Sequence, residues 1–252
     1  MMKREIIHML ALGLLLSVLL RESYNLLAHY MWSRPTHFAC ERAVYTVRTI
    51  SYYPLIQHIE NFITPKEIEH LKQVAEARYT RSTIGVGVSD TRNSSTAYIP
   101  ADDPIGICIQ ARAAEFQGYM NLKLMETLQL TKYTKDQLFL DHYDFKHNDE
   151  ISPGTYNRET TFFGILEATC EECGTRFPRI QANWTHEDPR WCRIVDCDAA
   201  DLVVKPTPGS ATFWVNLLPD GTGNEDLLHG GLPPQAESGK KIGLNIWTLK
   251  LV

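Results

Sequence analysis

The second half of the chain is punctuated in a way that suits a sheet and little else. From Leu138 onward, the runs TTFFGILEA, DLVVKP, SATFWVNLL and GLNIWTLKL are separated by clusters of Gly, Pro and Asn. They are short and rich in β-branched and aromatic side chains, so each reads as a strand. Upstream, VRTISYYPLIQHIENF also reads as strands. TPKEIEHLKQVAEAR then carries a helix start: Thr64 as N-cap, Pro65 at the first helical position, Glu67 as capping-box partner. Ile68, Leu71 and Val74 follow at helical spacing. A second helix is predicted from Pro104 to Leu128, with Ile107, Ala111, Ala114, Tyr119, Leu122 and Met125 as apolar positions. Helices first and strands after predict an α+β domain built on a sheet sandwich or barrel.

The N-terminus, MMKREIIHMLALGLLLSVLLRESYNLL, follows other rules. Lys3 and Arg4 precede an apolar run from Ile6 to Leu20, shorter than the roughly 20 residues of a full span. It also suits a signal-peptide core, but Arg21, Glu22 and Ser23 offer no small-x-small cleavage site. The preferred reading is an uncleaved signal anchor over 1–22, ahead of a cleaved signal and a buried amphipathic helix. A stalk over 23–44 and a catalytic-size domain over 45–252 complete the division. The basic start would keep the short end cytosolic and send the rest into the lumen of the endoplasmic reticulum or secretory pathway, as a single-pass membrane protein.

The six cysteines, Cys40, Cys108, Cys170, Cys173, Cys192 and Cys197, suit that oxidising compartment. The last four form C-x2-C and C-x4-C pairs, open to two readings: disulfides, preferred in the lumen, or a zinc site. Asn93-Ser94-Ser95 and Asn183-Trp184-Thr185 are glycosylation sequons. A net charge of −5 without a long basic run argues against a nucleic-acid partner.

LFLDHYDFKHND, residues 138–149, crowds two histidines and three aspartates. If 138–145 is a strand, His142 and Asp144 share one face, with Tyr143 and Phe145 on the other. His229, in LLHGGLPP, is the candidate for a distant third ligand; the residues alone leave open that His229 caps a turn and His142 is a surface residue. H-x-D with a later His is the facial-triad pattern of non-haem Fe(II) oxygenases, which leaves open coordination positions. Asp141, His147 and Asp149 are then bystanders on the solvated surface.

The residues around these three resemble a known family. VKPTPGSATFWVNLLPDG, LLHGG and SGKKIGLNIWTL resemble the C-terminal half of prolyl 4-hydroxylases. QLTKYTKDQLFLDHYDF resembles that family's first iron motif, and RETTFFGILEA with CGTRFP the strands between. ENFITPKEIEHLKQVAEARYTRSTI and RNSSTAYIP resemble its N-terminal helix and Arg-x-Ser-Ser loop. The resemblance implies a double-stranded β-helix (jelly-roll, cupin-like) core with N-terminal supporting helices. It implies an Fe(II)- and 2-oxoglutarate-dependent dioxygenase that uses O2, releases succinate and CO2, and needs ascorbate to keep iron reduced. It places Fe(II) on His142, Asp144 and His229, and the distal carboxylate of 2-oxoglutarate on Lys241 beside the hydroxyls of Tyr133 and Thr175. Arg158 and Trp247 match substrate positions. Three departures stand out. Phe139 replaces a tyrosine, Ile242 replaces a tryptophan, and extra residues in PPQAESGKK make Lys240 a rival to Lys241. Strand parity prefers Lys241, on one face with Gly243 and Trp247. The implied substrate is a proline-containing peptide. The alternatives are a small-molecule metabolite or, in another class, a non-enzymatic zinc-stapled binding module.

Overall fold

The computed structural model describes residues 21–22, 40–82, 93–152 and 154–252. Residues 1–20 of the expected anchor and 23–39 of the stalk, with Arg92 of the Arg-x-Ser-Ser loop, lie outside them. Among the described residues no helix is long and apolar enough to cross a membrane. The compact unit that holds the site runs Cys40–Val252.

The strand segments of the second half form β7 (Tyr156–Ala168), β8 (Thr175–Gln181), β9 (Asp201–Val204), β10 (Ala211–Val215), β11 (His229–Gly231) and β12 (Lys240–Leu251). Upstream lie β1 (Thr46–Tyr52), β2 (Leu55–Glu60), β3 (Thr80–Arg81), β4 (Ser95–Tyr98), β5 (Gln129–Thr134) and β6 (Phe139–His142). They form two antiparallel sheets. The larger has the order β1-β2-β10-β7-β12-β5-β4-β3 and the smaller β6-β11-β8-β9. Two helices, α1 (Pro65–Glu76) and α2 (Pro104–Phe116), interrupt the early strands. The strands read upstream of the first helix stand as β1 and β2, while β3 and β4, not expected, lie between the two helices, so the helices do not simply precede the strands.

Alternation along the strands of the large sheet makes two cores. Ile59, Phe162, Phe213, Leu244 and Ile246 face the helices and meet Leu71, Ala75 and Ile109. Ile56 and Trp214 face the other way and meet Phe177, Leu202 and Val204 of the small sheet. The large sheet is therefore a middle layer, with a mixed, functional space left toward the small sheet.

α1 begins as expected: Glu67 N–H donates to Thr64 Oγ1, and Thr64 N–H to the Glu67 carboxylate. α2 is shorter than expected. It ends at Phe116, and Gly118 and Tyr119 adopt φ of 81° and 65°, left-handed values that no right-handed helix accommodates. Its buried face also differs: Cys108, Ile109, Arg112 and Ala113 point inward, whereas Ile107, Tyr119 and Leu122 are exposed. Two side chains not counted as apolar turn the helix. Cys108 is bridged to Cys40, and Arg112 forms a buried bidentate pair with Glu67.

Candidate metal centre and cosubstrate pocket

His142 is the last residue of β6 and pairs directly with His229, the first of β11. A short antiparallel ladder thus brings together two histidines far apart in sequence. Their ring centroids are 4.4 Å apart. The strand reading of 138–145 is corrected in part: β6 stops at His142 and the chain bends through Asp144 and Phe145. The bend, not strand parity, turns Asp144 toward the imidazoles. It also brings Tyr143, expected on the opposite face, to the same cavity.

Asp144 Oδ2 lies 3.6 Å from His229 Nε2, and Oδ1 lies 3.9 Å from His142 Nε2. The three ligand atoms fall within 4.8 Å of one another, the one such metal-capable group among the described residues. Each imidazole is oriented from behind. His142 Nδ1 is 2.9 Å from Leu140 O, and His229 Nδ1 is 2.9 Å from Leu227 O. A carbonyl only accepts, so Nδ1 carries a proton, and each Nε2 is the nitrogen turned toward Asp144 and left to serve a metal. Phe139 stacks on His142 at 3.6 Å, and the edge of Trp214 meets His229 at 4.8 Å.

Asp144 is buried, and Thr161 Oγ1 donates to its Oδ2 at 2.7 Å; Asn216 Nδ2 donates in turn to Thr161 Oγ1 at 2.9 Å. Burial alone would raise the carboxyl pKa. The nearby His229, His142 and Arg158, with the Thr161 hydrogen bond, outweigh it and hold the group below its usual range. The aspartate therefore stays anionic, and two imidazoles with one carboxylate make a donor set that suits a divalent transition metal.

The cavity beside this group has a volume of about 430 Å³. Its floor is a face of the β5–β12 ladder, on which Lys241 pairs with Tyr133 and Asn245 with Gln129. Lys241 is fully buried, and its Nζ donates to the carbonyls of Cys173, Gly174 (3.3 Å) and Leu232 (3.2 Å). Burial pushes its pKa down to about 7. No ion pair of Lys241 is present among the described residues. A buried ammonium beside the hydroxyl-bearing Tyr133 and Thr175, both lining the cavity, fits the carboxylate end of a ligand. The rival Lys240 points elsewhere, to Glu167 at 3.1 Å.

At the other end, Arg158 is held by Glu126 through Nε at 2.7 Å and Nη2 at 2.9 Å, and its guanidinium lies 3.5 Å over Trp247. It is a built part of the wall rather than a surface charge. Tyr98, Gln129 and Asn245, not singled out from sequence, line the same wall. Gln129 Nε2 donates to the Tyr98 hydroxyl, and Asn245 Nδ2 to Gln129 Oε1. Nothing in their spacing marks them; only the ladder register does. The bystanders lie where expected: Asp141 pairs with Arg176, His147 with Glu225, and Asp149 is exposed.

The cysteines resolve into Cys40–Cys108, Cys170–Cys173 and Cys192–Cys197, with none free. The zinc-stapled reading is overturned, because a disulfide sulfur is no thiolate ligand. Asn93 Oδ1 accepts from Leu138 N–H just ahead of β6, whereas Asn183 is exposed in a loop.

No protein-family model matches the chain. It is 28% identical over 192 residues to the probable prolyl 4-hydroxylase 10 of Arabidopsis thaliana, covering 73% of this chain and 66% of that protein. It is 26% identical over 191 residues to the prolyl 4-hydroxylase subunit alpha-1 of Gallus gallus, covering 71% of this chain but 33% of the relative. Among solved structures, a viral collagen prolyl hydroxylase from Paramecium bursaria Chlorella virus-1, in a 2-oxoglutarate complex, superposes with a TM-score of 0.57 at 22% identity. It covers 77% of this chain and 95% of the viral one. A Pseudomonas putida prolyl-4-hydroxylase superposes at 0.51 and 14% identity, covering 77% of this chain and 92% of that one. The chain is thus similar in sequence to plant and vertebrate prolyl 4-hydroxylases, and it shares the fold of the viral prolyl hydroxylase.

Proposed function

We propose that the protein is an Fe(II)- and 2-oxoglutarate-dependent hydroxylase of prolyl 4-hydroxylase type, built on a double-stranded β-helix core. The observation that carries this is one cavity with a His-Asp-His group at one wall and, directly behind its lining residues Tyr133 and Gly231, a buried lysine that lacks a described counter-ion. When bound, iron and 2-oxoglutarate supply the oxidising chemistry, consuming O2, releasing succinate and CO2, and converting a substrate C–H into C–OH. His142, Asp144 and His229 hold the metal on one side and leave the other for ligands. Lys241 neutralises the distal carboxylate, and Tyr133 and Thr175 complete its hydrogen bonds. Thr161 and Asn216 keep the aspartate turned to the metal, and the two Nδ1–H donors keep both imidazoles in register. Trp214, Phe139 and Phe177 exclude water on the histidine side. Arg158 and Trp247 stand where substrate enters.

A proline-containing peptide is the favoured substrate, on the sequence likeness to named prolyl 4-hydroxylases. Ascorbate is proposed as the reductant. The three disulfides support a secretory-pathway location, with a lumenal domain behind the proposed 1–22 anchor. Exposed Asn183 is the better glycan acceptor, since the Asn93 amide already pins Leu138.

The test is succinate release with Fe(II) and 2-oxoglutarate across a panel of proline peptides and small molecules. Substrate-dependent turnover that His142→Ala abolishes is expected. Turnover that survives His142→Ala would defeat the metal assignment.

A further inference from the structure

The Lys241 ammonium, 4.9 Å from the Tyr133 ring centre, gives its hydrogen bonds to backbone carbonyls, and the cradle is closed by a covalent bond. Its Nζ donates to Cys173 O and Gly174 O, both in the connection 169–174 between β7 and β8. Cys173 is bridged to Cys170, whose Sγ rests 3.7 Å from Lys240 O on the same strand as the lysine. Thr169 doubles this clasp: its N–H donates to Lys240 O and its hydroxyl accepts from Lys240 N–H. The bridge thus spans the two ends of a short turn that grips β12 where the ammonium emerges. Gly174 is wedged as well, since a Cβ there would come 2.6 Å from Val204 O.

A bridge over a sequence separation of 3 restrains the unfolded chain far less than Cys40–Cys108 does over 68. Its effect is therefore local. An ammonium with three carbonyl acceptors keeps its direction only while those carbonyls keep theirs, and freeing the turn lets two of the three rotate away. Cys170 is half-buried and flanked by exposed Glu171 and Glu172, so one sulfur can be reached by a thiolate; Cys173 is buried.

We infer that the Cys170–Cys173 disulfide is a positioning element for the Lys241 ammonium, and that a dithiol which reduces it weakens binding of a dicarboxylate in the cavity. This rests on the 2-oxoglutarate reading above. The exchange breaks the S–S bond, passes two electrons and two protons to the cysteines, and leaves the dithiol as its own disulfide.

The test uses the full chain loaded with Mn(II), with 2-oxoglutarate binding followed by calorimetry. Cys170→Ser/Cys173→Ser should raise the 2-oxoglutarate Kd about tenfold, the scale of a lost supporting contact, with Mn(II) affinity unchanged. In a Lys241→Ala background the same double change should add nothing. Dithiothreitol should reproduce the loss in the wild type and in Cys192→Ser/Cys197→Ser, reversibly on reoxidation, which also decides the matter if the serine variant fails to fold. An unchanged Kd in the serine variant and under dithiothreitol overturns the inference while leaving the 2-oxoglutarate reading intact. A wild-type protein that binds no 2-oxoglutarate overturns both.

Discussion

Asp144 shows how much one side chain depends on residues that never touch the metal. Thr161 donates to it and Asn216 supports Thr161. Thr161→Val keeps the shape and removes the donor. It should weaken metal binding by about 10- to 100-fold, read by Mn(II) titration, with little change in Tm. A metal affinity equal to the wild type would show that the hydroxyl does not matter. His58 makes a separate prediction. It is buried on β2, and burial, with Arg48 adding and Glu60 opposing, lowers its pKa from 6.5 to about 4. Between those values the unfolded chain holds a proton that the native protein lacks, so stability falls as pH drops from 6.5 to 4. The loss from this group is about 3 kcal/mol. His58→Asn should remove that share, seen as urea midpoints that drop less than the wild type between pH 6.5 and 4; parallel curves would refute it.

At the scale of elements, α1 and α2 are joined by charge as much as by apolar contact. Arg112 reaches Glu67 with two nitrogens and also donates to Phe62 O and Glu41 O, all with almost no solvent exposure of the pair. Arg112→Ala would leave Glu67 buried and unpaired, a loss of about 3–5 kcal/mol. Chemical denaturation should show it, and Arg112→Ala/Glu67→Ala should recover part of it. No recovery in the double variant would mean that the pair is not coupled. β12 is the second decisive element. Its inward face carries Lys241, Gly243 and Asn245 opposite β5, and Trp247 opposite Thr161 of β7. Parity places Lys241 and Trp247 on one side, which was legible in sequence. Replacing Lys241 by Ala should sharply raise the 2-oxoglutarate requirement, while Lys240→Ala, which leaves Glu167 still paired with Lys72, should not.

For the whole molecule, the Cys40–Cys108 bridge ties the start of the compact unit to α2. Closing so long a loop, its loss should cost about 2–5 kcal/mol. Cys40→Ser/Cys108→Ser should therefore lower Tm while leaving Mn(II) affinity unchanged, since the bridge lies away from the cavity lining. A change in metal affinity without a change in Tm would reverse this picture. The two sheets account for the rest of the layout: the large one separates a helix-side core from the site, and the small one carries both histidines on adjacent strands.

Local rules alone gave the strand runs and the capped start of α1, because capping and pleat alternation act over a few residues, whereas the candidate metal residues also needed the family resemblance of the segments around them. The end of α2 and its inward face escaped them, since a left-handed pair at Gly118 and Tyr119 and a bridged Cys108 answer to distant partners. The choice between zinc and disulfides was likewise open until the sulfurs were in place. Only the tertiary structure set His142 across from His229, bent Asp144 in toward them, and gathered Thr161, Asn216, Gln129 and Asn245 around one cavity. Those contacts join residues distant in sequence, and strand register, which no short stretch encodes, decides which of them meet.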